Sequence, residues 1–426
     1  MSLVRPIALL YPRLMTTENN NDRDYDVVVW GASGFTGRLV VEYLKNQYGV
    51  GQDLRWAVAA RNAEKLGGVL DELSFGESRP DVIIADSKDE ASLDAMCKQT
   101  KVVLTTVGPY ALYGDELVAA CVANGTHYCD LAGEVQWIRR MIDQHQAAAE
   151  KSGARIVNCC GFDSIPSDLG VQFLQEKAVE QQGSPCSPVE LVVRAMKGGG
   201  SGGTIASALN ALEESQRDRE VARIMVQPYS LNPEGEREGP DGRDQRGMAY
   251  SELAGVWTAP FVMAVINMRV VRRSNALMDY PYGRDFEYNE SSLCGDGATG
   301  WLKAATMTTA MGGFMTAAAI GFTREHLVRK LVPKPGEGPN AQERENGYYN
   351  LRIFGKLDDG SVMQARVTGD RDPGYGSTSK MLAESAICLA RDDLAVGGGC
   401  WTPASAMGKT LRERLVANAG LTFDIV

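Results

Sequence analysis

Six residues, Tyr25, Asp26, Val27, Val28, Val29 and Trp30, run straight into Gly31-Ala32-Ser33-Gly34-Phe35-Thr36-Gly37. An apolar-periodic stretch carrying Leu39, Val40, Tyr43 and Leu44 follows at once. This order of β-rich run, glycine turn and amphipathic helix constrains the chain more than any other feature. Gly31 permits a tight turn off the strand, Gly34 lets a pyrophosphate approach the backbone, and Gly37 lets the helix pack close to the sheet. Free amides at the helix start, with the positive end of its dipole, attract phosphate. Ser33 and Thr36 add hydroxyl donors, and Phe35 sits inside the same turn. A dinucleotide site built from residues 31 and 33–37 is therefore expected.

The pattern repeats downstream. Strands are expected at 54–60, 81–85, 101–107, 126–130 and 154–159, with helices near 63–73, 90–99, 115–124 and 134–151. Continuous apolar strands separated by helices indicate a parallel sheet covered on both faces. The fold class is thus α/β, a Rossmann-type doubly wound parallel sheet of about six strands. After Gly170 the pattern changes to a strand at 189–196, a helix near 205–216 and a hairpin of 348–355 with 362–369, which reads as a second α/β (α+β) domain. The expected division is a flexible leader 1–24, a cofactor domain 25–175, a second domain 176–390 and a C-terminal return to the first domain over 391–426. Within the second domain, 213–247 reads as a charged, solvated insertion or lid.

The residue ending the second strand selects the cofactor. An NAD site places a carboxylate there, whereas this chain has Arg61, 24 residues beyond Gly37. A guanidinium grips a 2′-phosphate that a carboxylate would repel, so NADP(H) is expected over NAD. Asp86, directly after the third strand, is placed to meet the adenine amine. Gly108 and Pro109 form a rigid turn where the nicotinamide side should run.

A formal net charge of −10 argues against a nucleic-acid partner. Nine cysteines without a CxxC pair and three scattered histidines fit reduced thiols in a cytoplasmic setting and give no metal site. Residues 304–323 are twenty in a row without a charge. They read as a buried core or interface helix; a surface-lying peripheral membrane contact is the alternative, and a span fits their Ala, Thr, Gly and Met content least. A homodimer is expected.

Several blocks together carry a resemblance: 31–37, the Gly108-Pro109-Tyr110 turn, HisTyrCysAspLeuAlaGlyGlu at 127–134 and GlyPheAspSerIleProSerAspLeuGly at 161–170. GlyGlySerGlyGlyThr at 199–204, 372–384 and ThrProAlaSerAlaMetGly at 402–408 complete it. In this order they resemble the saccharopine dehydrogenase-like oxidoreductases, in the branch of the trans-acting enoyl reductases. The resemblance implies NADP and a lipid-like or polyketide-type substrate. Enoyl reduction needs hydride at the β-carbon, a proton at the α-carbon and stabilisation of the enolate oxygen. Tyr110, Tyr128 and Asp163 are the candidates for the last two tasks. An imine reductase of amino-acid metabolism is one alternative, and it requires convergent arginines in the second domain. A non-enzymatic NADP-binding, membrane-associated scaffold is the other.

Overall fold

The computed structural model describes residues 23–51, 53–76, 78–198, 202–324, 326 and 338–426. Most of the expected leader, the centre of the glycine loop at 199–201 and the stretch 327–337 lie outside the described residues. Strands β1 (Tyr25–Trp30), β2 (Trp56–Ala60), β3 (Asp81–Ile84), β4 (Thr100–Thr105), β5 (His127–Cys129) and β6 (Arg155–Val157) form the first sheet. They lie in the order β6-β5-β4-β1-β2-β3, all parallel, as expected of a doubly wound fold. The apolar runs predicted this: β1, β2 and β4 are buried almost throughout because helices cover both faces.

The second sheet comprises β7 (Val189–Lys197), β8 (Ala249–Ser251), β9 (Val256–Pro260), β10 (Tyr288–Gly295), β11 (Tyr348–Lys356) and β12 (Val362–Gly369). Only β7 and β10 pair in parallel there; the other pairs are antiparallel. β11 and β12 alternate buried and half-exposed residues, the signature of a sheet covered on one face.

The last residues divide between the sheets. β13 (Gly399–Trp401) extends the first sheet beside β6, whereas β14 (Leu421–Ile425) closes the second beside β12. The expectation that all of 391–426 returns to the first sheet is corrected accordingly. Helix Thr378–Arg391 also crosses the expected boundary, for its apolar face packs under β1, β4 and β5 and against helix Phe35–Tyr48. Helix Ile165–Gln182 packs instead on β11 and β12, where a side chain at Gly170 would meet Ile353 and Val367. These two helices share one continuous apolar core spanning both sheets.

The expected insertion 213–247 keeps much of its surface exposed but is anchored at its centre. Tyr229, Ser230, Leu231 and Asn232 are buried, and four arginines pin the segment. Arg272 pairs with Asp241 at 2.6 Å and Arg269 with Asp244 at 3.0 Å. Arg273 donates to the Leu231 carbonyl, and Arg139 to that of Asn232 at 3.0 Å. A buried guanidinium must be bonded, so these side chains are committed to their own chain.

Helix Gly297–Ala319 is not the core helix that one reading of 304–323 expected. Of its residues only Gly300, Ala304 and Ala318 are buried, and it touches the protein along a narrow stripe on β9, β10 and helix Gly202–Arg217. Among the described residues no helix is long and apolar enough to cross a membrane.

Candidate active site

The carboxyl ends of β1, β4, β5 and β6 lie on one edge of the first sheet, and the chemistry-bearing residues collect there. Gly31 turns off β1 with φ +87°, a conformation that disfavours any side chain. A Cβ there would also strike Val107 at 2.7 Å. Gly34 then begins helix Phe35–Tyr48 without a side-chain cap, and its first turn carries no acid. The leading amides of a helix have no partner within it, so this tip presents donors and positive potential. Ser33, Gly34 and Thr36 are half-buried, leaving the tip approachable. Gly37 is the close-packing position, for a Cβ there would lie 2.2 Å from the Gly31 carbonyl oxygen.

Phe35 turns away from this tip. Its ring meets Tyr375 edge-on at 4.7 Å and lies 5.7 Å from the Arg344 guanidinium. Its side chain therefore ties the turn to residues beside the second sheet and away from the helix tip. Arg61 leaves the end of β2 exposed, with no ion pair among the described residues, while neighbouring Asn62 caps the next helix by accepting from the Lys65 amide at 2.8 Å. The helix tip suits one phosphate group and the free guanidinium another. Asp86 is half-buried, and its carboxylate accepts from the Lys88 amide at 3.0 Å, so it braces its own turn.

Gly108 is exposed and Pro109 half-buried at the end of β4, joined by a cis peptide. The helical turn Tyr110–Tyr113 follows, and Glu134 holds its start. One Glu134 oxygen accepts from the Tyr110 amide at 2.7 Å and the other from the Ala111 amide at 3.0 Å. Ser207 donates to the same carboxylate at 2.7 Å. Glu134, which closes the block 127–134, was not singled out in the sequence, because its task is visible only in three dimensions.

Two candidate proton donors are corrected. Tyr110 is buried, stacked on Trp137 at 5.4 Å, and its hydroxyl donates to the Thr105 carbonyl at 3.3 Å. Burial, with Asp130 nearby, drives its pKa well above the usual phenol value. Tyr128 is fully buried in β5 and donates to Asp130 at 2.9 Å. Neither phenol is presented to a ligand. Asp130 accepts in addition from Asn158 at 2.7 Å and from the amides of Ala132 and Cys159 at 3.0 Å each. It is a structural hub joining the loops after β5 and β6. Asp130→Ala should strand four donors and cost about 3–5 kcal/mol, read as a lower urea midpoint. His127 is pushed down to about 3 by burial and stays neutral.

Asp163 is different. It is half-buried in the loop after β6, with no hydrogen-bond or ion-pair partner among the described residues. Burial alone raises its carboxyl from 3.8 to about 7, because the ionised form loses hydration without gaining a donor. A partner-free carboxyl poised near neutrality at a sheet's carboxyl edge has the properties of a general acid. Of the three catalytic candidates it alone is not spent on a hydrogen bond among the described residues.

Residues 27–157 match the family described as the saccharopine dehydrogenase NADP-binding domain. The chain is 42% identical over 417 residues to a Mycobacterium tuberculosis protein provisionally named a trans-acting enoyl reductase, covering 94% of this chain and 97% of that one. It is 39% identical over 406 residues to the trans-acting enoyl reductase of Mycobacterium bovis, covering 92% and 96%. Among solved structures, apo saccharopine dehydrogenase (L-Glu forming) from Saccharomyces cerevisiae superposes with a TM-score of 0.50 at 11% identity. That likeness covers 94% of this chain and 99% of the yeast chain, and speaks for the fold alone. With the glycine turn, the parallel sheet and near full-length identity to these relatives in hand, the chain belongs to the saccharopine dehydrogenase-like oxidoreductases, in their trans-acting enoyl reductase branch.

Proposed function

We propose that this protein is an NADPH-dependent oxidoreductase that reduces the enoyl group of a lipid-like or polyketide-type acyl substrate. The observation that carries this reading is the gathering, on one sheet edge, of a phosphate-ready helix tip and an unpaired carboxyl poised near neutrality. The enoyl reductase names of relatives that align along nearly the whole chain support the same reaction.

In this reading the amides after Gly34, with Ser33 and Thr36, hold the pyrophosphate, and Arg61 takes the 2′-phosphate. Asp86 shapes the adenine end, and Gly108 and Pro109, kept in place by Glu134, line the nicotinamide path. Held there, a reduced nicotinamide would be the source of hydride for the substrate's β-carbon. Asp163 gives its proton to the α-carbon, becomes a carboxylate, and is reprotonated from water. Tyr110, Tyr128 and Asp130 form the rigid floor beneath this edge.

The imine-reductase alternative needs free arginines for substrate carboxylates. Arg269, Arg272 and Arg273 are each bonded to Asp244, Asp241 or main-chain carbonyls. Arg352 on β11 stands near Arg194 of β7 and Arg366 of β12, and of these three only Arg366 has an ion pair among the described residues, with Asp424. The enoyl reading is preferred on the names of the full-length relatives.

Arg61→Asp should raise the Kd for NADPH by roughly 10–100-fold, the worth of lost charge-assisted hydrogen bonds, and leave NADH within about twofold. Fluorescence titration of both nucleotides checks this, and equal losses would remove the 2′-phosphate assignment. NADPH oxidation against a panel of enoyl thioesters and imines tests the reaction class. Turnover confined to imines would overturn it.

A further inference from the structure

Three arginines meet on the second sheet, on the face that helix Ile165–Gln182 leaves uncovered. Ile353 and Val367 point to that helix at Gly170, so their strand neighbours Arg352 and Arg366 face the other way. Arg352 and Arg366 stand directly opposite each other in the antiparallel ladder of β11 and β12. Arg194 of β7 is skipped by the pairing, for Val193 opposes Leu351 and Ala195 opposes Asn350, so the strand bulges there. A bulge re-aims its extra side chain. Burial, and then the charges of Arg194 and Arg366, lower the pKa of the Arg352 guanidinium.

Like charges directly opposite each other destabilise a sheet unless something negative compensates them. The acids on this face are spent elsewhere. Asp424 of β14 stands opposite Arg366 and pairs with it at 2.8 Å. Glu190 of β7 stands opposite Phe354 and accepts from the Ser251 hydroxyl, with no ion pair among the described residues. Arg194 and Arg352 are left without a counter-ion among the described residues. The Arg352 Nε is enclosed and donates to nothing, and the Asn350 Oδ1 beside it on the same face is enclosed and accepts from nothing. A buried polar atom without a partner calls for one.

These features specify a ligand. Two guanidiniums without a counter-ion suit the several oxygens and double charge of a phosphate, whereas a lone carboxylate would leave one charge uncompensated. The orphaned Asn350 oxygen asks for an N–H or O–H donor next to that anion. The phosphopantetheine arm on which acyl thioesters are carried has this constitution: a phosphate at one end, amide N–H groups along its length and the thioester at the other end.

The position suits an arm of that length. Tyr348, Asn350 and Arg352 form a row on one face of β11, about 13 Å from end to end at the rise of a strand. Tyr348, exposed at the end of the row, pairs with Lys197, where β7 gives way to the glycine loop. Beyond that loop, helix Gly202–Arg217 carries Ser207, bonded to Glu134 at the nicotinamide turn. Next to Tyr348, the Tyr349 ring lies 4.8 Å from that of Phe162, the residue before Asp163. The row therefore runs from the arginines to the edge where reduction is placed.

We propose that Arg194 and Arg352 bind the phosphate of the phosphopantetheine arm that carries the acyl thioester, with Asn350 accepting from an amide of that arm; the thioester at its far end rests on the enoyl-reductase reading. The arm is common to coenzyme A and to acyl carrier proteins. The test uses the full-length protein with NADPH bound, so that the helix tip and Arg61 are occupied. Calorimetric titration with phosphopantetheine and with pantetheine, which lacks only the phosphate, reads the site without turnover. Wild type should bind the phosphorylated arm at least about tenfold more tightly, and Arg352→Gln should bring the two within about twofold. Lys356→Gln, an exposed cation at the end of the same strand, should keep the wild-type preference. NADPH affinity like that of wild type is the check on folding; should Arg352→Gln fail it, Arg194→Gln, at an exposed position, is scored in its place. In turnover, the carrier is whichever of enoyl-coenzyme A and an enoyl carrier-protein thioester shows about a tenfold rise in KM in Arg352→Gln with kcat within about twofold. A rise with neither overturns the proposal, as does equal wild-type affinity for phosphopantetheine and pantetheine. So does tighter binding of glutarate, a dicarboxylate, that Arg352→Gln abolishes, for the arginines then serve the imine-reductase reading. A phosphate preference that the variant loses, with no thioester reduced by either protein, upholds the arm site and overturns the reductase reading instead.

Discussion

Gly37→Val should abolish useful cofactor binding, raising the Kd for NADPH by at least about 100-fold. The new Cβ would lie 2.2 Å from the Gly31 carbonyl oxygen and 2.9 Å from the Ala32 Cα. Both obstacles are backbone, so no rotamer relieves the clash, and the helix must move off the sheet. That movement withdraws the amides aimed at the pyrophosphate, and overpacking adds about 1–3 kcal/mol of destabilisation. Calorimetric titration with NADPH and urea unfolding read the two effects separately. Gly67→Ala is the control, because a Cβ there meets nothing within 4 Å. In the interior of helix Ala63–Glu72 it should leave binding intact and stabilise by up to about 1 kcal/mol. Equal NADPH affinity in Gly37→Val and wild type would show that the cofactor does not rest on this helix tip.

Asp163→Asn should lower turnover by about 10²–10⁴-fold, the usual worth of a general acid, with NADPH affinity within about twofold of wild type. The amide keeps the shape and removes the proton. The pH dependence gives the sharper test. Burial raises this carboxyl to about 7 because the anion is the form that loses hydration. The protonated, competent form therefore prevails below about 7, and activity should fall as pH rises through that value. In Asp163→Asn the residual rate should lose this limb. A wild-type rate that climbs with pH across the same range would assign Asp163 a different role.

How much of this was legible in sequence depends on the distance over which each feature is determined. The glycine turn, Arg61 and the parallel strands are local matters of spacing, and the turn and strands stand where the pattern put them. Thr402 likewise caps Pro403–Ala406 through the Ser405 amide, as a Thr-Pro pair announces. Tyr110 was misjudged because its burial is decided by Trp137, 27 residues later, and by a carbonyl at Thr105. The charged composition of 213–247 suggested solvation. Asp241, Asp244 and two carbonyls within it are instead engaged by Arg139, Arg269, Arg272 and Arg273 from other elements, pairings that no local pattern reveals. β13 has three residues and β14 five, and their sheets are chosen by tertiary neighbours rather than by their own alternation. The uncharged run at 304–323 was plain in the sequence, but only the exposure of its side chains separates a core helix from a surface one.

The most direct test of the whole account is to incubate the purified protein with NADPH and an α,β-unsaturated acyl thioester in deuterated water, then analyse the product by mass spectrometry and NMR. The account predicts one equivalent of NADPH consumed per saturated thioester, with a single deuterium at the α-carbon delivered through the exchangeable Asp163 carboxyl and none at the β-carbon. NADPH that binds but is never oxidised by any such thioester, or solvent deuterium found at the β-carbon, would contradict it.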